Sequence, residues 1–126
     1  MEGYSVKIIN SSFTDLTAKQ RVMLKDTTNA IKIDECVTPE DPIVLDISDY
    51  SVLHIHNENS DDKDYKQYMY ITSDGLKYVS GSESLFTSFI DIYEEMKESN
   101  EEYQIKIYKM PSKNYSNKHF ITCSIV

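Results

Sequence analysis

Tyr68-Met69-Tyr70-Ile71-Thr72-Ser73-Asp74-Gly75-Leu76-Lys77-Tyr78-Val79 is the stretch on which the fold turns. Asp74-Gly75 lies between two runs of aromatic and apolar residues, the strongest short-range hairpin signal in the chain. A two-residue turn there puts Met69, Ile71, Leu76 and Tyr78 on one face, the expected core side. The other face then carries Tyr68, Tyr70, Thr72, Lys77 and Val79, and exposes two tyrosines and a lysine.

Toward the C-terminus, Leu85, Phe89, Ile92, Tyr93 and Met96 fall on one stripe, with Phe86 and Ile90 beside it. That spacing predicts a helix over about residues 84–97, capped by Ser82 or Ser84, with Asp91, Glu94, Glu95 and Glu98 on its wet face. Residues 103–108 and 119–125 read as a last hairpin. Alternation sends Ile105, Ile107, Ile121, Cys123 and Ile125 inward. It sends Gln104, Lys106, Tyr108, Phe120 and Thr122 outward, and the connecting loop adds Lys113, Tyr115 and Lys118.

Toward the N-terminus, residues 4–9 alternate as a strand. Residues 16–20 open a short helix capped by Thr14 or Asp15; residues 21–25 either finish it or form a strand. A turn is expected at 26–29, a strand at 30–37 and a proline-bounded loop at 38–42. Strands follow at 43–47 and 50–56, separated by a turn or bulge at Ser48-Asp49, and then a polar loop at 57–66. Strands, one helix and a closing hairpin make the expected class a β-rich α+β fold in one domain, residues 1–126. Its form is an OB-like partly open barrel, or a curved antiparallel sheet with one covering helix before the C-terminal hairpin.

Composition limits the function. The chain has 126 residues, 40% apolar and 27% charged, which is enough for one core without metal or disulfides. No apolar run approaches the roughly 18 residues of a membrane span. Residues 1–5 lack the basic and apolar regions of a signal peptide, so a cytoplasmic protein is expected. Cys36 and Cys123 are then expected as reduced thiols. There is no Walker loop, His-Glu-x-x-His, Cys-x-x-Cys or ordered Ser-His-Asp set, so neither an enzyme nor a cofactor is expected. His54 and His56 share one strand face, a pairing that binds metal only with a third ligand; the expectation is polar residues on a half-buried strand, with no metal.

The net charge is −8, but its distribution is uneven. Residues 103–126 hold Lys106, Lys109, Lys113 and Lys118 and no acid, so they carry +4, against −12 for residues 1–102. Ten tyrosines stand beside no tryptophan. Rings interleaved with ammonium groups suit single-stranded DNA: bases stack on the rings and lysines follow the phosphates. Tyr68, Tyr70, Lys77, Lys106, Tyr108, Lys113, Tyr115, Lys118 and Phe120 are the candidate binding residues. Packing under another element, or a homodimer seam, uses the same rings without DNA.

Tyr78-Val79-Ser80-Gly81-Ser82-Glu83-Ser84, the following helix, Pro111-Ser112-Lys113-Asn114-Tyr115 and Lys118-His119-Phe120-Ile121-Thr122-Cys123 carry a resemblance. This region, about residues 65–126, resembles OB-type single-stranded DNA-binding proteins encoded by phages and prophages of Gram-positive bacteria. The resemblance implies a replication or recombination role, a homo-oligomer, and the Lys113–Lys118 loop at the DNA. The chain departs from the familiar bacterial single-strand binder in having no acidic, Phe-tipped tail, so recruitment of enzymes through such a tail is not expected. An alternative function is an acidic phage inhibitor, a DNA mimic or anti-defence protein that binds a host protein. Glu58, Asp61, Asp62 and Asp64, or Asp91, Glu94 and Glu95, would form its surface. A ligand sponge at a dimer seam is a third.

Overall fold

The computed structural model describes residues 3–111 and 119–126. The backbone gathers into two compact units. One comprises Met1–Ile31 with Ser48–Gly81, the other Lys32–Ile47 with Ser82–Val126.

The first unit is built on a five-stranded sheet. Its strands are β1 (Tyr4–Ser11), β2 (Ile31–Lys32), β4 (Ile47–Asn57), β5 (Asp64–Thr72) and β6 (Lys77–Ser80), in the order β1-β4-β5-β6-β2. β1 and β4 run antiparallel, with Val6 opposite Ile55 and Ile8 opposite Leu53. These four residues face a cluster completed by Leu24, Met69 and Val79, against which Phe13, Leu16, Ala30 and Ile71 pack. Leu24 comes from helix α1 (Ala18–Lys25). Thr17 caps α1 in a capping box. Its Oγ1 accepts from the Gln20 amide at 3.1 Å, and Gln20 Oε1 accepts from the Thr17 amide at 2.9 Å. The cap is therefore Thr17, not Thr14 or Asp15, and residues 21–25 complete the helix.

The hairpin of β5 and β6 corrects the two-residue turn. Tyr70 pairs with Tyr78 and Ile71 with Lys77, which leaves a three-residue loop, Ser73-Asp74-Gly75, inside the Thr72–Leu76 closure. Gly75 takes the left-handed position, φ +88°, that such a loop requires. The slip of one residue turns β6 over. Val79 joins the core and Tyr78 leaves that face. A Cβ added at Gly75 meets nothing within 4 Å, so Gly75→Ala costs backbone strain alone. We expect a loss of about 1–2 kcal/mol, read from the urea midpoint.

Residues 30–37 are not one strand. After the two residues of β2 the chain enters α2 (Ile33–Cys36), a single helical turn. Ile33 and Val37 are both buried. Their separation of four places them on one side in either a strand or a helix, so alternation did not discriminate.

The second unit holds a three-stranded sheet of β3 (Ile43–Leu45), β7 (Ile105–Pro111) and β8 (His119–Ile125), in the order β3-β7-β8. Ile43 pairs with Ile107, Leu45 with Ile105, and Ile107 with Cys123. Helix α3 (Glu83–Met96) lies where the periodicity predicts, with Ser82 Oγ accepting from the Leu85 amide at 3.1 Å. It is fastened along β8 by Ser84 Oγ donating to the Ile121 carbonyl at 2.9 Å and by Ser88 Oγ at 3.0 Å from Thr122 Oγ1.

The OB-like barrel, and the single curved sheet under one helix, are both overturned. The strands form two open sheets, ending in β1 and β2 and in β3 and β8. Among the described residues the C-terminal hairpin, which closes an OB barrel, pairs only with Ile43–Leu45. Among the described residues no helix is long and apolar enough to cross a membrane.

Candidate functional site

Strand pairing brings Val44, Lys106, Tyr108, Met110, Phe120, Thr122 and Ser124 onto one face of the three-stranded sheet. Val44 lies opposite Lys106, Tyr108 opposite Thr122, and Met110 opposite Phe120. The reverse face supplies the buried Leu45, Ile105, Ile107, Ile121 and Cys123. On the outer face Val44 is 48%, Met110 42% and Phe120 41% exposed, and Lys106 is exposed beside them. The Lys106 ammonium stands 5.8 Å from the Tyr108 ring centroid, within cation–π range. Tyr108 Oη lies 2.7 Å from Ser124 Oγ, which fixes the ring on the strand. The result is a held ring, a cation and two flexible or flat apolar side chains on one rigid surface.

The other candidate residues divide. Tyr68 and Tyr70 are 5% and 0% exposed, so their expected place on an open binding face is corrected. Both faces of β5 are buried at this point, since Met69 between them is buried as well. Lys77 is used inside the fold. Its ammonium donates to the Met23 carbonyl and, at 3.0 Å, to the Asp26 carbonyl, neutralising the negative end of α1. Lys113, Tyr115 and Lys118 lie outside the described residues. Lys106, Tyr108 and Phe120 are thus the candidates brought together. Val44 and Met110 were missed. Val44 arrives through the long-range β3–β7 pairing, and Met110 because β7 runs past Tyr108 to Pro111.

A second polar cluster surrounds the histidines of β4. His56 Nδ1 is 2.9 Å from Asp64 Oδ1 and its Nε2 is 2.6 Å from Glu58 Oε1; His54 Nε2 is 3.4 Å from the same Asp64 oxygen. Hydrogen bonding to Asp64, then to Glu58, raises the His56 pKa above its ordinary 6.5. The bond from His56 lowers Asp64 below its ordinary 3.8. Among the described residues no group of three or more His, Cys, Asp or Glu is arranged to hold a metal ion.

Both cysteines are free, Cys36 exposed and Cys123 buried. Burial pushes the Cys123 thiol up to about 12, so it remains a thiol near neutral pH. On α3, Asp91, Glu94 and Glu95 are exposed, with Glu94 paired to the C-cap Lys97 at 2.6 Å, and Glu98 is exposed just past the helix end.

The fold and this face describe an α+β chain with a mixed aromatic, apolar and basic sheet surface. In comparison with known proteins, the chain matches no family model, no curated protein and no solved structure.

Proposed function

We propose that the protein is a non-catalytic binding module that holds single-stranded DNA on the outer face of its three-stranded sheet. The observation that carries this reading is the Lys106 ammonium over the Tyr108 ring, with Phe120 and Met110 exposed on the same face. A base stacks on an exposed ring with about 1–3 kcal/mol, and an ammonium beside the stack meets the phosphate. The acid-free segment 103–126 adds attraction for a polyanion at this end of the chain. Duplex DNA fits less well. The outward face of α3, the long helix of the same unit, is acidic and does not suit a major groove. The sequence resemblance supplies a setting for this reading, phage replication or recombination, with assembly into a homo-oligomer.

Fluorescence anisotropy with a labelled oligonucleotide tests the reading. Phe120→Ala is expected to weaken binding by about 1–3 kcal/mol and leave the salt slope unchanged, because stacking displaces no counterion. Lys106→Ala is expected to shallow the slope of log affinity against log salt by about 0.7. Parental affinity in both variants, or equal binding of duplex, sinks the proposal.

The exposed acidic row on α3 favours a second reading, an inhibitor that offers carboxylates to a basic host protein. Absence of oligonucleotide binding, with salt-sensitive capture of a basic protein that Asp91→Asn and Glu95→Gln together abolish, supports it instead.

A further inference from the structure

The turn between β4 and β5 is closed by two layers of bonds. In the backbone, the Asn57 amide donates to the Lys63 carbonyl at 2.7 Å and the Ser60 amide to the Asn57 carbonyl at 3.1 Å. The Glu58 amide donates to the Gly3 carbonyl at 2.7 Å, which ties the turn to the start of the neighbouring strand. In the side chains, His56 bridges Glu58 on one flank of the turn and Asp64 on the other, one carboxylate on each ring nitrogen.

That arrangement has a proton requirement. A neutral imidazole carries one N–H and one lone pair, so it donates to one carboxylate and turns a lone pair toward the other. Only the imidazolium donates to both. We propose that His56 is a proton-operated latch on the β4–β5 turn: protonated it clamps Glu58 to Asp64, and deprotonated it lets one of them go.

The surrounding charges are consistent with this. Glu58 and Asp64 favour the imidazolium. Lys63, 3.5 Å from Glu58, competes for one of them. On β4, His54 shares the Asp64 oxygen. On β1, Lys7 stands opposite His54 and the uncharged Ser5 opposite His56. Asp61, Asp62 and Lys66 are exposed on the turn and the first residues of β5. The signs follow from linkage. With His56 raised above 6.5, its stabilisation is complete below 6.5 and is lost as pH rises through the raised value. With Asp64 lowered below 3.8, its stabilisation is present above 3.8 and is lost as pH falls through the lowered value. The latch therefore holds between these limits. Above them the turn presents Glu58 and Asp64, beside Asp61 and Asp62, with one less cation to balance them.

Nitrogen NMR of the His56 ring, with amide exchange corrected for intrinsic rate, tests this on the full chain. The expected result is a ring protonated on both nitrogens at mild acid and a pKa above 6.5. Protection at Asn57, Glu58 and Ser60 falls as the ring titrates, by about tenfold for each unit that closure raises the pKa. Core amides such as Leu53 and Met69 do not follow. His56→Gln abolishes the step in protection, and Glu58→Gln and Asp64→Asn each lower the His56 pKa. If His56→Gln fails to fold, these two variants decide. A His56 pKa at or below 6.5, protection indifferent to its titration, a step that persists in His56→Gln, or an unmoved pKa in both carboxylate variants overturns the proposal.

Discussion

Phe89→Ala is expected to lower the unfolding free energy by about 3–5 kcal/mol, the range for truncating a buried ring to a methyl group. Phe89 is 0% exposed at the middle of α3. Its loss removes the transfer energy of the ring and leaves a cavity that a helix fastened to β8 by Ser84 and Ser88 does not readily collapse. It also removes the tilted contacts with Phe86 and Tyr93, whose centroids lie 6.4 Å and 5.8 Å away. The urea midpoint falls with little change in m, and the melting temperature drops by roughly 10 °C or more. Phe89→Leu, which refills part of the space, costs much less. A melting temperature unchanged in Phe89→Ala places the buried face of α3 elsewhere.

Tyr70→Ala is expected to produce a loss of the same kind, about 3 kcal/mol or more, with no loss of oligonucleotide affinity. The sequence places Tyr70 on an open face beside Tyr68 and Lys77, where its ring would meet a base. The structure buries it completely, on the third residue from the end of β5 opposite Tyr78. Stability and affinity therefore separate the two placements. Urea denaturation reads the first, and anisotropy at a temperature where the variant is folded reads the second. A stable variant that binds DNA more weakly restores Tyr70 to the site and moves the site to the first unit.

The contrast between these two rings shows where the sequence was readable. Phe89 belongs to a long stripe at helical spacing, and a pattern that spans four turns survives small errors at either end. Tyr70 sits in a strand whose partner register depends on one loop residue. Asp-Gly serves both a two-residue turn and a longer loop with Gly in the left-handed position, and only the closed hydrogen bonds between Thr72 and Leu76 distinguish them. Alternation also identifies faces without saying how many are covered, and tyrosine suits a buried face as well as an open one.

The cap of α1 was present as Thr17-x-x-Gln20, but Asp15 competes for the eye. It occupies a positive-φ turn, φ 55°, ahead of the cap. In the site, Lys106, Tyr108 and Phe120 follow from local alternation within one hairpin. Val44 depends on β3 meeting β7, a pairing between distant segments that no local pattern encodes. The His56 bridge was equally hidden: the sequence shows two histidines on a strand face, whereas the closure depends on how the following turn brings Glu58 and Asp64 back to one ring.

The interleaving of the two units along the chain sets an order of events during synthesis. Every strand of the five-stranded sheet has been made once Ser80 leaves the ribosome. Ile43–Leu45 has by then been waiting, because its partner begins only at Ile105. During that interval Ile33, Val37 and Leu45, all buried in the finished protein, have been translated without the hairpin that completes their unit. Folding of the second unit is thus deferred to the last stage of translation and carries the loop-closure delay of a long-range strand pairing. The nascent segment 32–47 is where a chaperone finds exposed apolar residues, and where slowed elongation promotes aggregation.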